Sequence, residues 1–283
     1  MVGRRSGDAF GEVPSTVYGT VRVRMLWAML FVLLYGALPA QTVVIDTLRA
    51  VQPWGQQEEY TFPSVRLPQD PAVSDSINRH LSIAFLGVDP HTSGKDPLSE
   101  LWGEPGSSGV PRINSLHWTC ERYAPGALTI HLVGEACGAN CEGFDVHFTY
   151  DLYTGAALDL DGMFSKTGLV VAQGVLARRW QQRLALRIDQ LKAERAALGV
   201  SPETVTYQDE AIGMFEECVG MNAQRSAPIA DFFPTPDGLR FITARCSHHV
   251  DQELDDLFPL AIDLSREEVA PLLRLAAQEA LGW

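Results

Sequence analysis

The chain has 283 residues, of which 22 are lysine or arginine and 35 are aspartate or glutamate, so its formal net charge at neutral pH is −13. A surface this acidic repels phosphate, which argues against nucleic acid and favours cationic partners or metal ions, although it also serves simple solubility. A chain of this length buries a substantial core in one or two domains, so its size does not explain the five cysteines.

Residues 25–40, MLWAMLFVLLYGALPA, follow Arg22 and Arg24 and are typical of a signal peptide. The apolar core is shorter than the roughly 20 residues that a helix needs to cross a bilayer. We therefore predict cleavage after Ala40 and no membrane span in the mature protein, with an uncleaved anchor as the alternative.

If Met25 is the true initiator, the polar leader at residues 1–24 is untranslated or disordered. Removal of residues 1–40 leaves 18 basic and 33 acidic residues, a formal charge of −15. The expected location is the periplasm, the cell surface or the medium, where cysteines pair.

The mature chain begins with two strand patterns and a helix pattern. Residues 43–51 and 59–67 alternate apolar and polar side chains, which predicts antiparallel strands separated by a turn at 53–55. Residues 70–86 carry an apolar residue at every fourth position, which predicts a helix on the sheet. Residues 87–112 predict a long loop, either a ligand-facing flap or a mobile segment.

Three further strands are predicted at residues 115–123, 127–136 and 144–153, with turns at Pro125-Gly126, Gly138 and Gly143. Residues 166–198 predict a long amphipathic helix with a break near Gly174. The last part predicts a short apolar segment at 211–219, strands at 238–246 and 258–264, and a closing helix at 266–281. Ser265 and Glu268 have the spacing of a capping box.

Runs of strands separated by isolated helices predict an α+β fold, in which antiparallel sheets pack with a few helices.

Several short motifs occur in this order along the chain: YTFP at 60–63, IN at 77–78, SLHW at 115–118, YDLYTG at 150–155 with LDL at 158–160 and MF at 163–164, DGLRF at 237–241, and FPL at 258–260. Together they resemble the exported DUF3298 family with its usual upstream companion, DUF4163.

The resemblance implies a DUF4163-like subdomain at residues 41–160 and a DUF3298-like subdomain at 161–283. Relatives include a lysozyme-sensing anti-sigma factor and peptidoglycan deacetylases, in which the domain is treated as non-catalytic. It therefore implies a binding or sensing module of the bacterial envelope, with a cationic envelope protein or cell-wall glycan as partner. Cys137 stands where relatives often carry a histidine, so no role of that histidine transfers.

We expect Cys137 to pair with Cys141 and Cys218 with Cys246, although the sequence does not determine the connectivity. Cys120 then remains as a buried apolar residue.

An alternative is a zinc- or thiol-dependent envelope enzyme that uses Cys137, Cys141, Cys246, His248 and His249. Adjacent histidines on a strand point to opposite faces, which weighs against this set. We predict no catalytic residue, metal or cofactor, because the serines lack a nucleophile elbow and the carboxylate pairs are typical of solvated turns. A purely structural surface protein is the third alternative.

The predicted long helix carries seven basic residues. With His248 and His249, we take Arg178, Arg179 and Arg183 as candidates for contact with anionic glycan or lipid headgroups. A solvated polar face opposite the apolar stripe explains the same pattern.

Overall fold

The computed structural model describes residues 42–51, 59–93, 98, 112–137, 141–197, 199, 201–222, 227–247 and 249–283. The leader, the signal segment, the turn at 53–55 and most of the predicted loop at 87–112 lie outside these residues. Gln41–Trp283 forms one compact unit. The subdomain boundary at residue 160 stays a prediction.

The described strands form three antiparallel sheets, as the α+β prediction requires. The first sheet pairs β1 (Val44–Val51) with β2 (Glu59–Arg66). The second has the order β3 (Arg112–Ala124), β4 (Ala127–Cys137), β5 (Cys141–Asp151). The third has the order β6 (Ile229–Thr235), β7 (Gly238–Thr243), β8 (Ala261–Ser265).

Two long helices lie between the second and third sheets in the sequence, α4 (Lys166–Arg195) and α5 (Pro202–Asn222). The shorter helices are α1 (Pro71–Leu81) with a π-helical turn at Ser82–Leu86, α2 (Pro90–Ser93), α3 (Leu160–Met163), α6 (Arg266–Val269) and α7 (Leu275–Leu281). Two 3₁₀ helices, His249–Leu254 and Ala270–Leu272, complete the described helical segments.

The first hydrophobic core lies between α1 and the first two sheets. Ile77 and Leu81 are fully buried on the inner face of α1, in a cluster with Tyr60 and Tyr150. Asn78 joins the helix to β2, because its side chain accepts from the Val65 N–H and donates to the Val65 carbonyl, both at 2.8 Å. This side chain occupies the hydrogen-bonding edge of β2 as a neighbouring strand would.

The second core is built on the apolar stripe of α4. Leu176, Trp180, Leu184 and Leu191 are each about 1% exposed. Their spacing of three to four residues places them on one face, which packs against α5 and the third sheet. The predicted helix is therefore present, and it is stabilised mainly by burial of this stripe.

Two predicted interruptions are wrong. Helix α4 is continuous through Gly174 because Ala172 and Leu176 are buried on either side, and their packing outweighs a glycine penalty of about 1 kcal/mol. Gly143 lies inside β5, opposite Glu135 of β4, and not in a turn.

The last third differs from the prediction at the closing helix. The closing helix is divided into α6, a 3₁₀ turn and α7, because Pro271 lacks the N–H that a continuous helix requires. The capping box at its start is present, since Ser265 accepts from the Glu268 N–H and Glu268 accepts from the Ser265 N–H.

The sequence analysis did not predict β6. It predicted only a short apolar segment at residues 211–219, where the structure has the longer helix α5. Strand β6 contains Pro234, which is tolerated because β6 pairs with β7 and lies at the edge of its sheet.

Candidate functional site

Four cysteines form the two disulfides that the sequence predicts. Cys137 and Cys141 are direct partners in the β4–β5 register, with Cα atoms 3.9 Å apart. Cys218 of α5 joins Cys246, which follows β7, across 28 positions of sequence. The first bridge closes a hairpin, and the second attaches α5 to the segment beyond the third sheet.

The alternative of a zinc- or thiol-dependent enzyme finds no free thiolate at Cys137, Cys141 or Cys246. Cys137, Cys141 and Cys246 are all in disulfides, so they offer no thiolate to a metal ion. His248 lies outside the described residues. His249 is the first residue of a 3₁₀ helix, and only its backbone is described.

Cys120 is the free cysteine among the described residues, and its side chain packs against the first core. Burial raises the pKa of its thiol to about 12, so the reactive thiolate form is suppressed at neutral pH. This environment is that of an apolar filler, as expected from the sequence.

Most of the basic residues on α4 are neutralised within the molecule. Arg187 binds Asp256 with two nitrogens, at 2.6 and 3.2 Å, and also contacts Glu194 at 3.2 Å. Arg179, Lys192 and Arg195 make further ion pairs, with Glu268, Glu216 and Asp209 respectively.

Two of the predicted ligand-facing arginines, Arg178 and Arg183, are exposed and have no ion-pair partner within the described part of the chain. Arg183 lines an open groove of about 360 Å³ between α4 and β8, together with Arg179 and Asp263. Arg179 also donates to the Asp263 carbonyl, so it holds α4 against the edge of the third sheet. The predicted basic surface is therefore reduced to two free guanidinium groups.

The sequence analysis missed an acidic groove, also of about 360 Å³, on the outer face of α5. Glu210, Gly213, Met214 and Glu217 line it from the helix, and the spacing of three and four residues places all four on one face. The opposite wall is formed by Asp251 and Leu254 of the 3₁₀ helix, with Cys246 at one end.

The carboxylates of this groove differ from most others in the protein. Glu210, Glu217 and Asp251 are exposed, and none has a hydrogen-bond or ion-pair partner among the described residues. Met214 and Leu254, which are both partly buried, supply an apolar floor between them. An acidic rim over an apolar floor suits a lysine or arginine side chain, which has an aliphatic stem and a charged end.

Two contacts fix the walls of the acidic groove. The Cys218–Cys246 disulfide lies next to Glu217, and the Tyr207 hydroxyl, one turn before Glu210, donates to the Glu253 carbonyl at 3.0 Å. The disulfide and the hydrogen bond therefore connect α5 to the segment that faces it. They hold the groove in shape without a ligand.

Two aspartates have structural roles. Asp159 is the N-cap of α3, where it accepts from the Gly162 N–H. Buried Asp255 accepts from the Cys246 and Ser247 N–H groups, at 2.7 and 3.3 Å.

A second cluster that the sequence analysis did not identify lies where β5 meets β6. The rings of His131 and His147 are stacked with centroids 4.1 Å apart, and Phe233 of β6 covers the other face of His147 at 3.8 Å. His131 Nε2 lies 2.7 Å from Asp145, and His147 Nδ1 lies 2.6 Å from Asp231. Each imidazole therefore has one carboxylate partner.

Comparisons with known proteins agree with this fold. The chain superposes on a member of the DUF3298 family from Bacteroides fragilis with a TM-score of 0.52 and 13% identity, covering 85% of this chain and 97% of that one. A DUF3298 family protein from Pseudomonas aeruginosa gives a TM-score of 0.49 and 10% identity, with 84% and 96% covered.

No family model matches the sequence, and no curated protein is similar enough to count as a match. The structural likeness to the Bacteroides fragilis protein confirms the DUF3298 resemblance that the sequence motifs suggested, and it shows a shared α+β fold. The neighbours carry no assigned function.

Within the residues described, no helix has both the length and the apolar character needed to span a bilayer.

Proposed function

We propose that this protein is an exported, non-catalytic binding or sensing module of the bacterial cell envelope, and that it recognises a cationic protein through the acidic groove on α5. The observation that carries the proposal is the set of exposed carboxylates of Glu210, Glu217 and Asp251 around an apolar floor, none of which has a partner within the described part of the chain.

Export is supported by the cysteines together with the N-terminal sequence. Disulfides persist in oxidising compartments and are rare in the cytosol, where thiols are kept reduced. Two disulfides in a chain whose residues 25–40 have the pattern of a signal peptide favour an extracytoplasmic location.

A cationic protein partner is supported by long-range electrostatic attraction and by short-range contacts in the groove. The mature chain carries a formal charge of −15, which accelerates encounter with a basic protein at low salt. At short range, a lysine or arginine of the partner would lay its stem on Met214 and Leu254 and place its charge among the three rim carboxylates.

Binding is favoured over catalysis because the groove is open. Exposed carboxylates remain in contact with water, whereas acid–base catalysis depends on groups whose proton affinities are separated by burial or close charges. The lysozyme-sensing relative that the sequence resembles makes lysozyme a suitable first ligand.

The test is a pull-down of the mature protein with lysozyme and with basic envelope proteins, at 50 and 300 mM salt. We expect binding that weakens at the higher salt, because exposed ion pairs are screened. Thiol counting on the exported protein should give one free thiol. The absence of salt-sensitive binding would contradict the proposed partner, and five free thiols in a cytosolic protein would contradict export.

A further inference from the structure

The histidine–aspartate cluster between β5 and β6 follows from the register of the second sheet. His131 of β4 and His147 of β5 are direct cross-strand partners, and Asp145 is two residues before His147. Side chains two residues apart on a strand lie on the same face, so these three share one face of the sheet. Asp231 reaches the same place from β6.

The donor atoms converge on a small volume. Asp145 Oδ1 lies 2.7 Å from His131 Nε2 and 3.9 Å from His147 Nδ1, and one ligand atom from each of the three residues lies within 4.8 Å of the others. Asp231 Oδ2 is 2.6 Å from His147 Nδ1. Ligand atoms of His131, Asp145 and His147 therefore converge, and Asp231 adjoins this group through His147.

We propose that His131, Asp145, His147 and Asp231 form a binding site for a divalent transition metal, with Zn²⁺ as the representative ion. Imidazole nitrogens suit zinc, copper and nickel, and two carboxylates balance the charge of the ion. Magnesium and calcium prefer sites made of oxygen ligands, so they are not expected to bind.

Part of the site is already held in place. Asp231 accepts from the backbone N–H of His147 at 3.0 Å through Oδ2 and from that of Phe232 at 2.7 Å through Oδ1. Phe233 stacks on the ring of His147. These contacts fix the inner side, where the side chains of His147 and Asp231 are 11% and 13% exposed.

The outer side can adjust to the ion. The two histidine rings lie within 3° of parallel, so the lone pairs of both nitrogens do not yet point to one position. His131 and Asp145 are more exposed, at 28% and 63%, so His131 is the ring that turns. The imidazole tautomer that carries its proton on the ring nitrogen away from the carboxylate presents a lone pair to the ion, so a neutral ring binds without losing a proton.

A bound ion would join the second and third sheets, because its ligands come from β4, β5 and β6. Binding to the folded state alone raises its stability. Saturation at 100 times the dissociation constant should raise the melting temperature of a chain of this size by about 5–10 °C. The site is separate from the acidic groove, whose residues lie on α5 and the 3₁₀ helix, so each can fail without the other.

The test is calorimetric titration of ZnCl₂ into the mature, untagged protein after chelator treatment, at pH 7.5, together with melting curves. We expect one ion per chain, no response to MgCl₂, and weaker binding at pH 5.5, where protons compete for the imidazoles. His131→Ala should lower the affinity at least tenfold, and Asp231→Asn should lower it by about 10–100-fold.

The matched control is His91→Ala, which removes a histidine that also pairs with an aspartate, Asp75 at 2.9 Å, on the exposed surface. This variant should bind Zn²⁺ as the unmodified protein does. The proposal is overturned if Zn²⁺ produces neither heat nor a melting shift up to millimolar concentration, or if His131→Ala and His91→Ala have equal affinities. His131 is partly exposed, so its variant can be checked for folding by circular dichroism without metal.

Discussion

The two long helices of this protein use their charges in opposite ways. On α4, which carries the basic cluster that stands out in the sequence, four of the cations are bound to carboxylates of the same molecule. On α5, Glu210 and Glu217 face an open groove and have no hydrogen-bond or ion-pair partner among the described residues.

The comparison shows that a dense charge cluster in a sequence is a poor indicator of a binding surface in an acidic protein. Carboxylates of the same molecule bind four of the seven cations of α4, and these ion pairs tie the helix to α5, to α6 and to the segment after the 3₁₀ helix. Glu210 and Glu217 have no cation partner among the described residues, so an external cation can take that role.

The largest expected effect concerns the inner face of α4. Trp180→Ala should reduce the free energy of unfolding by about 3–5 kcal/mol, because it removes a large, fully buried side chain and leaves a cavity. Leu186→Ala on the same helix, where Leu186 is 59% exposed, should change it by less than about 0.5 kcal/mol. Chemical denaturation measures both, and equal losses would contradict the described orientation of α4.

The next effect concerns the disulfide that borders the acidic groove. The double substitution of Cys218 and Cys246 by alanine should cost about 3 kcal/mol, since it frees a loop closed across 28 positions. The same substitution at Cys137 and Cys141, which close a much shorter loop, should cost about 2 kcal/mol. The reverse order in denaturation midpoints would argue against the loop-entropy explanation.

A smaller effect separates the paired cations of α4 from the free ones. Arg187→Ala should destabilise the protein by about 1 kcal/mol, because Arg187 is 16% exposed and binds two carboxylates. Arg183→Ala should cost no more than about 0.5 kcal/mol, since no carboxylate among the described residues contacts it. If the two variants unfold at the same urea concentration, the internal pairing of α4 is not a stabilising feature.

The smallest effect is a pH dependence at the start of α6. The pKa of Glu268 is held below its usual value, first by the donated Ser265 N–H and then by Arg179. A lowered carboxyl pKa stabilises the fold above the unfolded value of about 4.3, and this contribution is lost as the pH falls through the folded value. Because Glu268 is partly exposed, we expect less than about 1 kcal/mol.

Glu268→Gln should therefore be less stable than the unmodified protein at pH 6, and the difference should shrink as the pH falls through the lowered pKa of Glu268. Urea denaturation at a series of pH values measures this. Glu267→Gln, which alters the exposed neighbour, is the control for the loss of one surface charge. A Glu268 difference of the same size at every pH would contradict the assigned charge contribution.

Features that depend on nearby residues were predictable from the sequence. The apolar stripe of α4, the capping box of Ser265 and the alternating strands of the second sheet each follow a local period or motif. The cysteine pairs were also anticipated. The break at Pro271 was missed because a strong helical pattern on both sides masked the effect of the missing N–H.

The acidic groove depends on contacts that local patterns do not reveal. Glu210 and Glu217 look like an ordinary solvated helix face until the Cys218–Cys246 bond brings Asp251 and Leu254 opposite them.

The histidine cluster had a weak signal in the sequence. His131 and His147 are equally distant from the centre of a hairpin closed by Cys137 and Cys141, which predicts that they lie opposite each other. The contribution of Asp231 was not predictable, because it depends on how two sheets meet.

The central claim is that the free carboxylates of α5 bind a cationic protein. The most direct measurement is the affinity for lysozyme at low salt of the triple variant Glu210→Gln, Glu217→Gln, Asp251→Asn. Its control, Glu142→Gln, Asp161→Asn, Asp189→Asn, removes the same net charge from exposed positions elsewhere. We predict at least a tenfold loss for the groove variant and a much smaller loss for the control. Equal affinities for the two variants would show that the groove is not the binding surface.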